Sequence, residues 1–396
     1  MLSQFLPEQL MELCLVQGDL EPRVRSMTLP SSVTPLRHVS RRFLGGAAVA
    51  RSVNASVLAG ELAGDTDRVS ARNRVREIGN AYLDMGPVRL PKDAVRAARE
   101  FAPHVVYTSG CTIGINRLAL AFARACRVPV LVHYLDDWRA SLYTGRGTRL
   151  PRRALLRSVA RLEAGAAVGP VISDLMAAEY TRRTGLNYLP LMNAVDTTRT
   201  PTTPPSTGTV RVVYTGGLHL HRQRALLDVE AAIRGAGGAS LTIHTGLTSR
   251  WAEPLFDPAI TTFAPYVPHD QIHGVYADAD VLVHAESADP DIAAFIRYSI
   301  STKISEYLAA GRPILCYAPA ETALHQYVAG SGAGIAVSTA AEVSTAVRAL
   351  VADPALRAEM GVRGVELARA GHSGAQAHET LVRAIRVLVD DIPPLG

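Results

Sequence analysis

The stretch "STKISEYLAAGRPIL", residues 301–315, predicts a helix followed directly by a strand. Its polar start and its Leu/Ala-rich middle are typical of a helix that stops at Gly311, and "RPIL" opens the apolar run of a buried strand. A helix that leads straight into a strand is half of a βαβ unit. The stretch therefore favours a parallel α/β sheet.

The same alternation of short apolar runs and longer Ala/Leu/Arg segments extends to both sides of this stretch. The predicted strands are 104–110, 128–137, 169–173 and 187–192 in the first half, and 210–217, 239–246, 280–286, 312–318 and 332–337 in the second. Residues 115–127, "INRLALAFARACR", form a predicted crossover helix. Strands that alternate with helices in this way indicate two Rossmann-like halves.

A chain of 396 residues is long enough for two domains. Pro, Ser and Thr crowd the end of the first half, which predicts a linker. The predicted division is an N-terminal Rossmann-like domain at 1–197, a linker at 198–209, a C-terminal Rossmann-like domain at 210–373, and a C-terminal helix within 374–396 that packs back on the N-terminal domain.

The first hundred residues have a weaker pattern. The segments 11–20 and 24–29 are candidate strands, 34–64 is a candidate helix with a break at its glycine pair, and 90–101 is a predicted helix. The chain starts "MLSQFLPEQL" and has no glycine before Gly18.

Composition narrows the class of protein. Hydrophobic residues make up 48% and charged residues 19%, which fits a compact globular chain. The net charge of +5 comes with no basic run interleaved with aromatics, so nucleic acid is not an expected partner. The four cysteines show no CxxC spacing, and neither a metal nor a cofactor is expected. With no apolar run of about 18 residues, we expect a cytoplasmic protein.

One amphipathic segment, 149–165, is a candidate for weak contact with the inner face of a membrane. Its arginines fall on one helical face and small aliphatic residues on the other. A solvated face is the favoured alternative, because the apolar side carries no aromatic residue.

The first candidate ligand site is "YTGGLHLHR", residues 214–222. Glycines between a strand and a helix let backbone N–H groups approach an anion, and the helix N-terminus favours negative charge. Gly216, Gly217 and Arg222 are therefore candidates for phosphate binding. A turn of this kind is also required for purely geometric reasons in many α/β proteins.

The second candidate site surrounds Lys303. Only Lys92 and Lys303 are lysines among 41 basic residues, which suggests that an ammonium group has a use at this position. Ser301 and Thr302 add hydroxyls at a helix start, whereas the carboxylate of Glu306 suits sugar hydroxyls. The alternative is an exposed Lys303–Glu306 pair of little consequence.

The third candidate site is "HYLDDW", residues 133–138, after a predicted strand. Ligands of open α/β sheets bind outside the carboxyl ends of strands, which makes His133, Asp136 and Asp137 candidate catalytic residues. A structural histidine is the competing interpretation.

Four segments, in this order, resemble the retaining GT-B glycosyltransferases of family 4. "NAVD" is similar to that family's "NGVD", "YTGGLHLHR" to its Gly–Gly turn with an arginine, "STKISEYLAAGRPIL" to its "K…EYLAAGKPVI", and "SGAGIAV" to its "GAGIVV". The resemblance implies a GT-B fold, with two Rossmann-like domains facing a central cleft. It also implies a hexosyltransferase of the EC 2.4 class.

The resemblance further implies how substrates bind. A UDP-, GDP- or dTDP-sugar would place its diphosphate on Gly216, Gly217, Arg222 and Lys303, and its ribose on Glu306. A hydroxyl-bearing acceptor would enter near "HYLDDW", and the two domains would close over it. The acceptor would be a saccharide, a lipid-linked saccharide or a small natural product.

Two features depart from the family. Many members carry a glutamate eight positions before the one at 306, where this chain has Tyr298, and many begin with a strand and a Gly–Gly loop. Two other functions therefore stay open: a nucleotide-sugar epimerase of the same architecture, and a non-catalytic GT-B partner subunit.

Overall fold

A computed structural model describes residues 11–14, 25–29, 71–164, 168–198 and 208–389. The chain divides into two compact units, 1–191 with 378–396, and 192–377. The candidate helix at 34–64 and most of the candidate linker at 198–209 lie outside the described residues.

Unit 1 is built from short parallel strand pairs and the helices that connect them. The strands are β1 (Met11–Cys14), β2 (Arg25–Thr28), β3 (Val106–Thr108), β4 (Val130–Val132), β5 (Val168–Val171) and β6 (Asn187–Pro190). The helices are α1 (Ala71–Asp84), α2 (Lys92–Phe101), α3 (Ile113–Cys126), α4 (Trp138–Ser141), α5 (Arg149–Glu163) and α6 (Asp174–Thr184). Strands β1–β2, β3–β4 and β5–β6 pair in parallel, and a bridge between Tyr134 and Val171 links β4 to β5.

Unit 2 contains a six-stranded parallel sheet. Its strands are β7 (Val210–Thr215), β8 (Ala239–Thr245), β9 (Thr261–Pro265), β10 (Val281–Ala285), β11 (Ile314–Tyr317) and β12 (Gly334–Val337). Its helices are α7 (Arg222–Ala236), α8 (Ile272–Asp278), α9 (Pro290–Ile296), α10 (Lys303–Ala309), α11 (Ala323–Ser331), α12 (Ala340–Ala352) and α13 (Pro354–Gly371), and α14 (Gly374–Leu388) crosses the boundary between the units. A 3₁₀ helix covers Leu247–Leu255.

Burial of the central strands explains why the sequence pattern found them. All five residues of β10 are buried, as expected for a parallel strand covered on both faces. The apolar core of unit 2 lies between this sheet and helices α7 and α12. The predicted α/β fold with parallel strands is confirmed.

The apolar face of α5 packs inside the protein. Leu155, Val159 and Leu162 are buried in the protein, so this face belongs to the core and not to a membrane-docking surface. No described helix combines the length and the apolar character needed to cross a bilayer.

Candidate functional site

The strand order of unit 2 creates a crevice between two central strands. The order is β12-β11-β10-β7-β8-β9, so the chain runs outward from β7 in one direction and then returns to β10 to run in the other. Such a reversal is a topological switch point, and ligands of open α/β sheets bind there at the carboxyl ends of the strands. Gly216 follows β7 and Glu286 follows β10, which places both at this crevice.

A strained turn connects β7 to α7. Gly216 has φ +134°, and the Tyr214 hydroxyl donates a 2.7 Å hydrogen bond to the carbonyl of Gly217. Leu220 and His221 then have φ values of +61° and +57°, in the left-handed region that residues with side chains rarely adopt. Backbone strain of this kind clusters at functional sites because the surrounding structure must stabilise it.

Lys303 begins α10 and points back at the turn. Its Nζ donates a 2.5 Å hydrogen bond to the carbonyl of Thr215 and lies 5.7 Å from the centre of the Tyr214 ring. A Cβ on Gly216 would collide with this Nζ, so the close approach requires glycine. Burial, followed by the neighbouring Arg222 charge, lowers the pKa of Lys303 to about 8.

The two hydroxyl residues before Lys303 differ in exposure. Ser301 is half-buried, and its carbonyl accepts a 3.0 Å hydrogen bond from the N–H of Ile304. Thr302 is exposed, and its carbonyl accepts a 2.9 Å hydrogen bond from the hydroxyl of Ser305. Both residues thus form the first turn that presents Lys303.

Arg222 is the first residue of α7 and pairs with an acidic residue that the sequence analysis did not single out. Its Nε and Nη2 donate to the Glu286 carboxylate at 2.9 and 2.7 Å, and its Nη1 donates to Nε2 of His219 at 3.2 Å. Burial alone would lower the pKa of Arg222, but the facing carboxylate offsets this and raises it. Burial lowers the pKa of His219 to about 4, with Arg222 acting in the same direction, so His219 is a neutral acceptor.

Glu306 lies on α10, one turn after Lys303. Its Oε2 accepts a 2.9 Å hydrogen bond from the Tyr276 hydroxyl, and its Oε1 lies 3.7 Å from Nδ1 of the exposed His269. Thr215 and Tyr307 add a hydroxyl contact of 3.0 Å beside it. The carboxylate is therefore oriented by a buried network that starts at the end of β7.

In unit 1, His133 follows β4 and is buried. Its Nδ1 lies 2.6 Å from the hydroxyl of Tyr107, which extends from β3. Burial lowers the pKa of His133 to about 4, so the ring is neutral at physiological pH. Asp136 is half-buried, and its carbonyl accepts a 2.8 Å hydrogen bond from the N–H of Trp138.

Asp137 is engaged by the fold of unit 1. Its carboxylate caps α4 through the N–H of Ala140 at 3.0 Å and accepts a 2.7 Å hydrogen bond from the Tyr180 hydroxyl. Arg183 forms an ion pair with this carboxylate at 3.3 Å, and the Asp137 side chain is 1% exposed. These are contacts that hold α4 and α6 together.

The structure thus brings Gly216, Gly217, Arg222, Lys303 and Glu306 together at the carboxyl ends of the central strands of unit 2. It brings His133, Asp136 and Asp137 to the end of β4 in unit 1. Sequence reasoning missed Glu286, His284 and Tyr276. The available signal was an acidic residue at the carboxyl end of the predicted strand 280–286, in "HAES".

Comparisons with known proteins agree with this architecture. Residues 222–383 match a family model described as "Glycosyl transferase-like", a range that includes Arg222, Lys303 and Glu306. No curated protein sequence gives a significant match.

Solved structures with similar folds come from several bacteria. Sucrose-phosphate synthase of Thermosynechococcus elongatus has a TM-score of 0.58 at 16% identity, covering 80% of this chain and 79% of that one. Anabaena HepE in complex with UDP has a TM-score of 0.56 at 13% identity, covering 74% and 81%. The pneumococcal O-GlcNAc transferase GtfA, in complex with UDP and GlcNAc, has a TM-score of 0.53 at 11% identity, covering 75% and 60%.

At these identities the likeness concerns the fold alone. The chain therefore has the fold of the GT-B glycosyltransferases, and its residues 222–383 match the glycosyl transferase-like model.

Proposed function

We propose that this protein is a retaining glycosyltransferase of the family 4 type, a hexosyltransferase of the EC 2.4 class. One observation carries the proposal: the side chains of Arg222 and Lys303 converge beside a glycine turn at the switch point of a parallel sheet. Cations and backbone N–H groups at such a crevice suit a diphosphate.

In this proposal the donor is a nucleotide sugar. Its diphosphate lies against Gly216 and Gly217, with Arg222 and Lys303 as its charged partners and Ser301 and Thr302 at the helix start beside them. The Oε1 of Glu306 accepts hydrogen bonds from the ribose hydroxyls, while Tyr276 holds the other oxygen.

The transfer breaks the bond between the anomeric carbon and the diphosphate oxygen, and it forms a bond from that carbon to the acceptor oxygen. The acceptor's proton passes to the departing phosphate oxygen on the same face of the sugar. Arg222 and Lys303 stabilise the negative charge that develops on this leaving group.

UDP is the nucleotide to test first, with GDP and dTDP as alternatives. HepE has been crystallised with UDP-glucose and GtfA with UDP and GlcNAc, which supports UDP as the first probe. We assign acceptor binding to residues 1–197, near His133 and Asp136. The acceptor is a saccharide, a lipid-linked saccharide or a small natural product with a free hydroxyl.

Thermal unfolding with a panel of nucleotides and nucleotide sugars tests the proposal. A ligand present at 100 times its Kd stabilises the folded chain by about 2.7 kcal/mol, which is a measurable rise in Tm. We expect UDP or a UDP-sugar to produce it, followed by release of UDP when an acceptor is added. Conversion of the donor sugar without any acceptor would instead indicate an epimerase, and binding without transfer to any acceptor would indicate a partner subunit.

A glycine variant tests where the ligand binds. Gly216→Ala places a methyl group against the Lys303 ammonium, so we expect it to abolish the stabilisation by UDP. Gly235→Ala is the matched control, because the Cβ of residue 235 in α7 meets open space. Loss of UDP stabilisation in both variants, or in neither, would contradict the assignment.

A further inference from the structure

We propose that Glu286 is a positioning residue of the donor site, which fixes the orientation of Arg222 and sustains the positive charge of Lys303. This inference rests on the proposed function, because it assumes that a nucleoside diphosphate binds at the same crevice. Glu286 lies outside the predicted site, and its proposed role is to keep Arg222 oriented and Lys303 protonated.

The geometry between Glu286 and Arg222 is that of a two-pronged clamp. Nε of the guanidinium faces one carboxylate oxygen at 2.9 Å and Nη2 faces the other at 2.7 Å. The Glu286 side chain is 5% exposed and the Arg222 side chain 12%, so little water competes for these contacts. Two parallel charged hydrogen bonds fix the plane of a guanidinium as well as its position.

Glu286 is itself held in place by two neighbouring strands. Nε2 of the buried His284 donates to Oε1 of Glu286 at 2.8 Å, and the backbone N–H of Glu286 donates to the carbonyl of Tyr317 at 2.8 Å. His284 in β10 and Glu286 directly after it are two residues apart in extended chain, so their side chains lie on the same side and meet. The clamp therefore belongs to the rigid sheet, and Arg222 is oriented from outside its own helix.

The clamp determines which edge of Arg222 can meet a ligand. Its Nε–Nη2 edge is occupied by Glu286, and Nη1 lies on the side of His219 and the glycine turn. A guanidinium has five N–H donors, and contacts with Glu286, His219 and the Tyr214 hydroxyl leave one of them for a phosphate oxygen. Without the carboxylate, the long side chain would be free to adopt several rotamers at the start of α7.

Glu286 also offsets the charge of two cations that share the crevice. The charged groups that act on Lys303 are Arg222, which disfavours its ammonium, and Glu286 and Glu306, which favour it. The Tyr214 ring and the Thr215 carbonyl pack around it, and the histidines His219 and His284 also face it. Removing the negative charge of Glu286 would leave Arg222 uncompensated beside Lys303, and the ammonium would release its proton at a lower pH.

The test measures UDP affinity of the full-length chain by calorimetry between pH 6.5 and 9.5. For Glu286→Gln we expect affinity at pH 7 to fall by about tenfold, the lower end of the loss that follows when a partner orienting a metal ligand is removed. We also expect the pH at which affinity is half lost to move downward. Glu286→Asp, which keeps the charge on a shorter side chain, should restore that midpoint but only part of the affinity.

Glu230→Gln is the matched control. Glu230 is another buried glutamate of unit 2, but it pairs with Arg234 and Thr261. It should lower stability without changing UDP affinity or its midpoint. Wild-type affinity and midpoint in a folded Glu286→Gln would overturn the positioning role while leaving the proposed function intact. Failure of the wild-type chain to bind UDP, GDP and dTDP would overturn both.

Discussion

Lys303 combines features that are rarely found together in a lysine. It is half-buried, it donates to a backbone carbonyl, and it shares its surroundings with Arg222. Burial penalises the ammonium, so its charge is maintained only narrowly above neutral pH. An arginine would keep its charge at any pH, but its planar fork does not fit against Gly216 as a compact ammonium does.

This gives a first prediction about pH. Donor affinity should be constant below about pH 8 and should then fall by up to about tenfold per pH unit, as Lys303 loses its proton. The stability of the ligand-free protein changes with pH in the opposite direction. Between about pH 8 and the usual lysine pKa the unfolded chain binds more protons, so this group makes folding more favourable as pH rises. Calorimetric titration with UDP checks the effect, and Lys303→Ala should remove the pH dependence together with most of the affinity. A wild-type affinity that stays constant to pH 9.5 would contradict it.

Asp137 provides a second prediction at this scale. Asp137→Asn keeps the size of the side chain but removes the charge that faces Arg183, so we expect the free energy of unfolding to fall by about 1–3 kcal/mol. Urea denaturation measures the loss. Turnover per folded molecule separates the two roles considered for this residue: it is preserved if Asp137 only holds α4 and α6, and it collapses if Asp137 takes part in catalysis.

The sequence was informative about residues whose chemistry is local. Lys303 stood out by composition, and Gly216 by its place between a strand and a helix. Glu286 did not stand out, because its partner Arg222 is 64 positions away in the chain and only the sheet brings them together. The network of Asp137 was missed for the same reason, since Tyr180 and Arg183 belong to a later helix.

At the scale of elements, α7 begins under strain. His221 precedes Arg222 in a left-handed conformation, without a side-chain hydrogen bond to the helix, and its Nδ1 is buried without a partner among the described residues. The strain places Arg222, with its positive charge, at the positive end of a helix, where the macrodipole disfavours it. Glu286 compensates for this.

A third prediction concerns this helix start. His221→Gly should stabilise the protein by about 1 kcal/mol, because glycine adopts a positive φ without penalty. A rise in Tm checks it, with His273→Gly in α8 as a control that should lower Tm. If His221→Gly lowers Tm, the contacts of the ring outweigh the strain of the backbone.

Most elements of unit 2 could be predicted because parallel strands are buried on both faces and give continuous apolar runs. Strand β9 is the exception. It lies at the edge of the sheet and reads "TTFAP", with two threonines, one large apolar residue and a terminal proline, so its pattern resembles a loop.

For the whole molecule, buried histidines link stability to pH. Burial lowers the pKa of His133 and His219 to about 4, and it also lowers the pKa of His284 and His372. Unfolding exposes these rings, which then take up protons below about pH 6.5. Both units carry such groups, so acid should weaken each of them.

The fourth prediction follows from this linkage. The free energy of unfolding should fall as pH decreases from 6.5 to 4, by roughly 3 kcal/mol for a fully buried ring such as His133. Denaturant titrations across this range measure the slope. His133→Gln should reduce the slope, because it removes the buried ring. Equal slopes for wild type and His133→Gln would show that His133 does not contribute.

The chain between β10 and α10 is secured at both ends. Glu286 is held by Arg222 where this segment leaves the sheet, and Lys303 is held by the Thr215 carbonyl where it returns. The cost of closing a flexible loop grows slowly, by about 0.6 kcal/mol for each doubling of its length. An insertion at the exposed Ala288, between β10 and α9, should therefore cost little while both anchoring contacts persist. The rest of the segment contains α9 and buries Ile296, Tyr298 and Ile300, so it cannot be rebuilt as freely.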